Sequence, residues 1–209
     1  MSTWQIARHQ VSIAGRVTDG VSGKPLAGVR VTIVTMPSLF KKKLGIDAIR
    51  YGKQWAAMNE RADRTHTRED GLFYFLDLPD GKFGLSVSLS RPGMRYGSAE
   101  ETASVARDAK GGIAKPVFMD LVLHPTVLKG RITGTGHKSG IAMAEVRVKG
   151  SGEHTFSNAQ GQYLLPGIEP GKRTVLVFAQ GYRDISQSVT IAESGQEQIV
   201  NFTLSRETG

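Results

Sequence analysis

The chain has 209 residues, 39% of them hydrophobic, with 25 glycines, 8 prolines and no cysteine. That composition fits a turn-rich globular protein of one or two domains, and it excludes disulfides, thiolate metal ligands and a cysteine nucleophile. The formal charge of +8 raises nucleic acid or an anionic surface as partners, so its distribution along the chain decides its meaning.

Residues 1–10 form an N-terminal arm without an apolar core of signal-peptide length, which sets the expectation of a cytoplasmic protein or one in a particle assembled in the cytoplasm. No run approaches the roughly 18 apolar residues of a membrane span. From Val11 the apolar period is two, through Ile13, Gly15 and Val17, and again through Val29, Val31 and Ile33. Asp19-Gly20 and Gly23-Lys24-Pro25 supply the turns between these strands.

Residues 36–62 then break the pattern. Ala48, Tyr51, Trp55 and Met58 recur at intervals of three, four and three, which predicts a helix over 46–60 with Ile46 and Ile49 widening its apolar face. Gly45 and Gly52 weaken such a helix by about 1 kcal/mol each relative to alanine, so it must pack on something. Residues 37–64 hold seven Lys and Arg against three Asp and Glu, a net +4 and half the excess of the whole chain. Alternation resumes beyond Glu69-Asp70-Gly71 and Pro79-Asp80-Gly81 and ends in a run at 115–124.

The second half repeats the first. Gly15-Arg16-Val17-Thr18 recurs as Gly130-Arg131-Ile132-Thr133, and Val29-Arg30-Val31 as Val146-Arg147-Val148. Thr67 to Phe73 aligns with Ser157 to Tyr163, and each copy reaches a further glycine ten residues after the first, Gly81 and Gly171. Val31 to Thr67 spans 36 residues where Val148 to Ser157 spans nine, so the first copy carries an insertion of about 27 residues. The expected organisation is all-β: two tandem antiparallel seven-stranded sandwiches, at 11–124 with the insertion at about 36–62, and at 126–205, with a tail at 206–209. The second copy lacks the insertion, so its removal is expected to leave both sandwiches folded.

These residues carry a family resemblance. GRVTDGVSGKPLAGVRVTI with THTREDGLFYFLDLPDGKFGLSVSL, and GRITGTGHKSGIAMAEVRVKG with SNAQGQYLLPGIEPGKRTVLVFAQGY, resemble the carboxypeptidase regulatory-like domain, a transthyretin-like or Cna-B-like sandwich. The resemblance implies a Greek-key, prealbumin-like topology and an accessory rather than catalytic role. More loosely, the tandem arrangement is similar to regulatory-like proteins of phage-tail-like contractile assemblies. It also implies a test for a Lys–Asn isopeptide bond. Lys129 and Asn201 could be tempted into one, but the strand at 173–180 has no carboxylate to assist, and the run at 115–124 of copy one has no asparagine.

Other motifs fail on chemistry. GTGHKSG at 134–140 lacks the glycine before lysine and the strand-to-helix setting of a phosphate loop. His9, His66, His124, His137 and His154 show no paired metal-ligand spacing, and the Asp-Gly turns supply no calcium-type series of oxygens. No nucleophile elbow occurs, and Asn201-Phe202-Thr203 reads as strand sequence. No catalytic residue, metal, cofactor, small-molecule ligand or specific nucleic acid is therefore expected.

The resulting expectation is a non-catalytic structural or adaptor protein that makes protein–protein contacts in a larger bacterial assembly. Its candidate partner-binding residues all lie in the insertion: Phe40, Lys41, Lys42, Lys43, Arg50, Tyr51, Lys53 and Trp55. The alternative is a carbohydrate- or cell-surface-binding module whose exposed aromatics would include Tyr163 or Tyr182; an enzyme ranks third.

Overall fold

The computed structural model describes residues 9–89, 95–109, 111–136 and 139–207, and the chain falls into two compact units. The first takes the described residues up to 89 together with 98–123, the second 95–97 and 124 onward. Of the arm, only His9 and Gln10 are described.

In the first unit the strands are β1 (Val11–Asp19), β2 (Arg30–Thr35), β3 (Arg64–His66), β4 (Leu72–Leu76), β5 (Gly81–Ser88), β6 (Ala99–Val105) and β7 (Val117–Leu123). They form two sheets of order β4-β1-β7 and β3-β2-β5-β6. Period-two alternation sends Ile13, Val17, Phe73, Phe75, Leu121 and Leu123 inward from one sheet and Val31, Ile33, Phe83, Leu85 and Val87 from the other, all buried. The insertion between β2 and β3 holds two helices, α1 (Ser38–Tyr51) and α2 (Gln54–Ala57).

The second unit contains β8 (Val127–Gly134), β9 (Glu145–Val148), β10 (His154–Phe156), β11 (Gln162–Pro166), β12 (Gly171–Phe178), β13 (Ile185–Ile191), β14 (Glu197–Ile199) and β15 (Phe202–Leu204). Its sheets run β11-β8-β14 and β10-β9-β12-β13, with β15 also on β8. β14 and β15 together occupy the place of β7, so each unit is a seven-strand plan whose last strand, in the second, is interrupted at Val200-Asn201. One pairing departs from antiparallel order, and it does so in both units. β7 lies parallel to β1, and β14 and β15 lie parallel to β8.

The repeat landmarks have structural causes. The Thr67 hydroxyl donates to Leu26 O at 2.6 Å and accepts from Val29 N at 2.9 Å. Ser157 does the same in the second unit, donating to Ile141 O at 2.7 Å and accepting from Ala144 N at 2.9 Å. Both hydroxyls are buried, and each satisfies backbone groups that a loop would otherwise leave unpaired. The glycines that follow, Gly71 and Gly161, sit at φ 77° and 75°, in the left-handed region.

One such position differs between the units. Gly28 N donates to Thr67 O at φ 70°, whereas its counterpart Met143 makes the equivalent bond to Ser157 O at φ 57°, with its side chain 71% exposed. The same equivalence makes Val31 the counterpart of Val146, two residues before the Val148 of the sequence match, so the insertion is corrected from about 27 residues to 25. A left-handed non-glycine residue costs on the order of 1 kcal/mol or more, part of which glycine gives back as unfolded-chain entropy. Met143→Gly should therefore stabilise the second unit by about 0.5 kcal/mol, read as a higher urea midpoint for amide protection at Val146 and Val177.

Tyr163 packs into the core of the second unit against Phe202, with ring centroids 5.8 Å apart, and its hydroxyl donates to Val200 O at 2.7 Å. Burial pushes its phenol above the ordinary tyrosine range. A raised folded pKa means its contribution is complete below the unfolded value of about 10 and is lost as pH rises above it. The urea midpoint of the second unit should thus fall between about pH 9 and pH 11, and Tyr163→Phe should flatten that fall.

Candidate interaction surface

The insertion is built from its ends inward. Pro37 occupies the N-cap of α1 at φ −59°, a value its ring presets, and no acidic residue stands in the first turn. Gly52, at φ 54°, ends the helix and returns its N–H to Ala48 O at 2.9 Å. The expected helix over 46–60 is thus corrected at both ends. α1 begins eight residues earlier and takes in the lysine run, and Gly52 separates it from the single turn of α2. The cause is tertiary. Phe40 and Leu44, one turn apart, are the buried residues of α1, and the Phe40 ring meets Phe83 edge-on at 5.8 Å.

At about 100° per residue, Leu39, Ile46 and Ile49 fall on the side opposite Phe40 and Leu44. They are 74%, 66% and 84% exposed. They do not widen the inner stripe; they make a second one, so α1 is apolar on two sides. Lys42 lies within this outer stripe and Lys43 and Arg50 border it, while Asp47, the one acid of the helix, is half-buried. Among the described residues no ion pair involves Lys41, Lys42, Lys43, Arg50 or Lys53. Beside the N-terminal half of α1 runs an open groove of about 310 Å³ lined by Leu39, Phe40, Lys43, Asp77, Pro79 and Arg107. The Asp77 carboxylate in its wall accepts from Gln10 N and pairs with His9; the His9 hydrogen bond foremost holds it below the usual carboxylate range.

The rest of the insertion folds back onto its own unit. Tyr51 stacks on Trp55 at 6.0 Å with an interplanar angle of 18°. The Arg61 guanidinium lies 4.6 Å over the Trp55 ring, donates to Trp55 O at 3.2 Å, and pairs with Asp63 at 2.9 Å. Arg64 donates to Met58 O at 3.5 Å, and burial foremost, then the nearby Arg61 and Arg30 charges, lowers its pKa. The insertion therefore packs on the first unit: Phe40 covers Phe83 of β5, and Met58 O accepts from Arg64 of β3.

The sequence-predicted site residues now divide. Lys41, Lys42, Lys43, Arg50 and Lys53 are exposed, as a contact surface requires. Phe40 is 3% exposed and belongs to the core, Trp55 lies between Tyr51 and Arg61 in contact with both, and Tyr51 remains 43% exposed. Leu39, Ile46 and Ile49, exposed on α1, were not among the sequence candidates, although their spacing of seven and three was the signal. Elsewhere, Lys129 pairs with Glu197, and Asn201 Oδ1 accepts from Arg131 N at 2.8 Å, so both groups of the tempting isopeptide pair are engaged otherwise. Tyr163, named for a glycan platform, is core. Among the described residues no group of three or more His, Asp or Glu could hold a metal; His137 and Lys138 lie outside the described residues.

Comparison with known proteins adds a class first. Residues 127–205, the second unit, match the family model of the carboxypeptidase regulatory-like domain. No curated protein matches the chain. Among solved structures, the Bacillus anthracis TIE protein matches with a TM-score of 0.46 at 19% identity, over 94% of this chain and 34% of that one. The chain thus spans about a third of that protein's length. A double mutant of shaft pilin SpaA from Lactobacillus rhamnosus GG matches with a TM-score of 0.42 at 12% identity, over 96% and 99% of the two chains. The Streptococcal ancillary pilin matches at 0.36 and 14%, over 94% and 62%. The expected cytoplasmic placement is contradicted by these matches, which include a shaft pilin and an ancillary pilin. That placement had rested on the first residues alone.

Proposed function

We propose that the chain is a non-catalytic structural or adaptor module of a larger bacterial assembly, and that it holds a protein partner through the insertion of its first unit. The outer side of α1 carries this reading. Three aliphatic side chains stand exposed on one short helix, interleaved with cations that have no acidic partner among the described residues. Single exposed aliphatics need no explanation, whereas a contiguous stripe of them marks a contact surface. The contact set becomes Leu39, Ile46 and Ile49 with Lys41, Lys42, Lys43, Arg50 and Lys53. A phage-tail-like contractile particle is the narrower form of the same proposal.

The test is recovery from the native host of the wild-type chain and of a variant with Ile46→Ser and Ile49→Ser. A protein that co-purifies in fixed ratio with the first and is lost with the second supports the reading. Recovery of the same protein with both chains rejects it, and the narrower form stands only if that protein is a tail component.

A further inference from the structure

We infer that the occupant of the outer side of α1 is an acidic amphipathic helix of the partner, laid along the stripe with one apolar side chain in the groove beside Leu39. This rests on the contact reading above and gives the partner its chemistry.

Charge sets the sign. Residues 38–53 carry Lys41, Lys42, Lys43, Arg50 and Lys53 against Asp47 alone, and none of the five cations is ion-paired among the described residues. A partner with Glu or Asp flanking its apolar residues neutralises them, while a basic one is repelled. Spacing sets the shape. Leu39 and Ile46 are two turns apart, about 10.5 Å along the axis, with Ile49 one turn further, a ridge of the kind that packs between the ridges of another helix. An extended strand gains nothing here, because the helix interior offers no open backbone N–H. The groove of about 310 Å³ at the Leu39 end is the concave element, with room for a single large apolar side chain.

A lipid surface fits less well. It favours a broad apolar face with aromatic residues at the headgroup level. Here Phe40 is buried against Phe83, Tyr51 and Trp55 stack on each other away from Leu39, Ile46 and Ile49, and Lys42 places a charge inside the stripe.

The test uses the full chain and two designed helical peptides with the same leucine stripe, one flanked by glutamate and one by lysine, titrated by fluorescence anisotropy at low salt. The glutamate peptide should bind about tenfold or more tighter than the lysine peptide. Ile46→Ser with Ile49→Ser should weaken it about tenfold or more. Lys42→Glu, Lys43→Glu and Arg50→Glu together should reverse the preference. All five side chains are outside the core, so circular dichroism should be unchanged in both variants. Equal binding of the two peptides, no binding of the glutamate peptide, or an unreversed preference overturns the inference. Capture of phosphatidylserine vesicles without the glutamate peptide overturns it too, in favour of a membrane surface. If the peptides fail while the host partner is still lost with the serine variant, the contact reading stands and only the acidic-helix chemistry falls.

Discussion

Phe40→Ala should lower the stability of the first unit by about 3 kcal/mol, toward the lower end of the range for truncating a buried phenylalanine. The ring is 3% exposed and meets Phe83, itself fully buried, edge-on. Its removal therefore costs both the transfer of the ring from water and the cavity left against Phe83. The effect is also local in a useful way. A helix of 14 residues weakened by Gly45 in its interior is marginal alone, so α1 depends on Phe40 and Leu44 for its hold. Hydrogen exchange across 38–51 should accelerate in the variant more than exchange in β2 or β5, and the outer stripe should be lost with the helix. Leu39→Ala, on the exposed side, should change stability by less than about 0.5 kcal/mol. Equal effects from the two substitutions would mean that the inner and outer sides of α1 have been assigned wrongly.

The strands of both units were legible because each depends on local information. Alternation fixes which residues point inward, and the glycine turns fix where each run stops. Comparing the copies added what one copy could not, since Thr67 and Ser157 recur for a buried hydroxyl bridge that the fold needs twice. The helix was misjudged for the opposite reason. Phe40 is an inner residue because of Phe83, some forty positions later, and no local window contains that partner. A helix that is apolar on two sides also defeats periodic reading, because several sets of threes and fours fit it. The set chosen joined Ala48 and Tyr51 to Trp55 and Met58 straight through Gly52, where the backbone leaves the helix. The lysines and arginine are exposed because charge keeps them in water, while Phe40 went inward, where its area is worth most, and Tyr51 stays 43% exposed. The parallel pairing of first and last strands left no trace in local pattern at all.

That parallel pairing has its own test. Gly130→Ala should destabilise the second unit by more than about 4 kcal/mol, a size reserved for a few named causes. A Cβ at Gly130 would stand 1.9 Å from Val200 O and 2.7 Å from its carbonyl carbon. Both are backbone atoms, so no rotamer relieves the clash. Val200 N is bonded back to Lys129 O at 2.9 Å, so the segment between β14 and β15 cannot retreat without breaking the ladder to β8. The same crowding exists in the first unit, where a Cβ at Gly15 would meet Met119 O at 2.5 Å and the Phe73 ring at 2.6 Å. This is why glycine leads the repeated Gly-Arg-Val-Thr and Gly-Arg-Ile-Thr: the last strand lies parallel to the first, so close that only glycine leaves room. Gly152→Ala is the control, since nothing lies within 4 Å of a Cβ there, and it should shift stability by less than about 0.5 kcal/mol. Amide exchange at Ile132 and Phe202 should rise toward the global unfolding rate in Gly130→Ala alone. If the two alanine variants unfold together, β14 and β15 do not run against β8 in this register, and the shared glycine needs another cause.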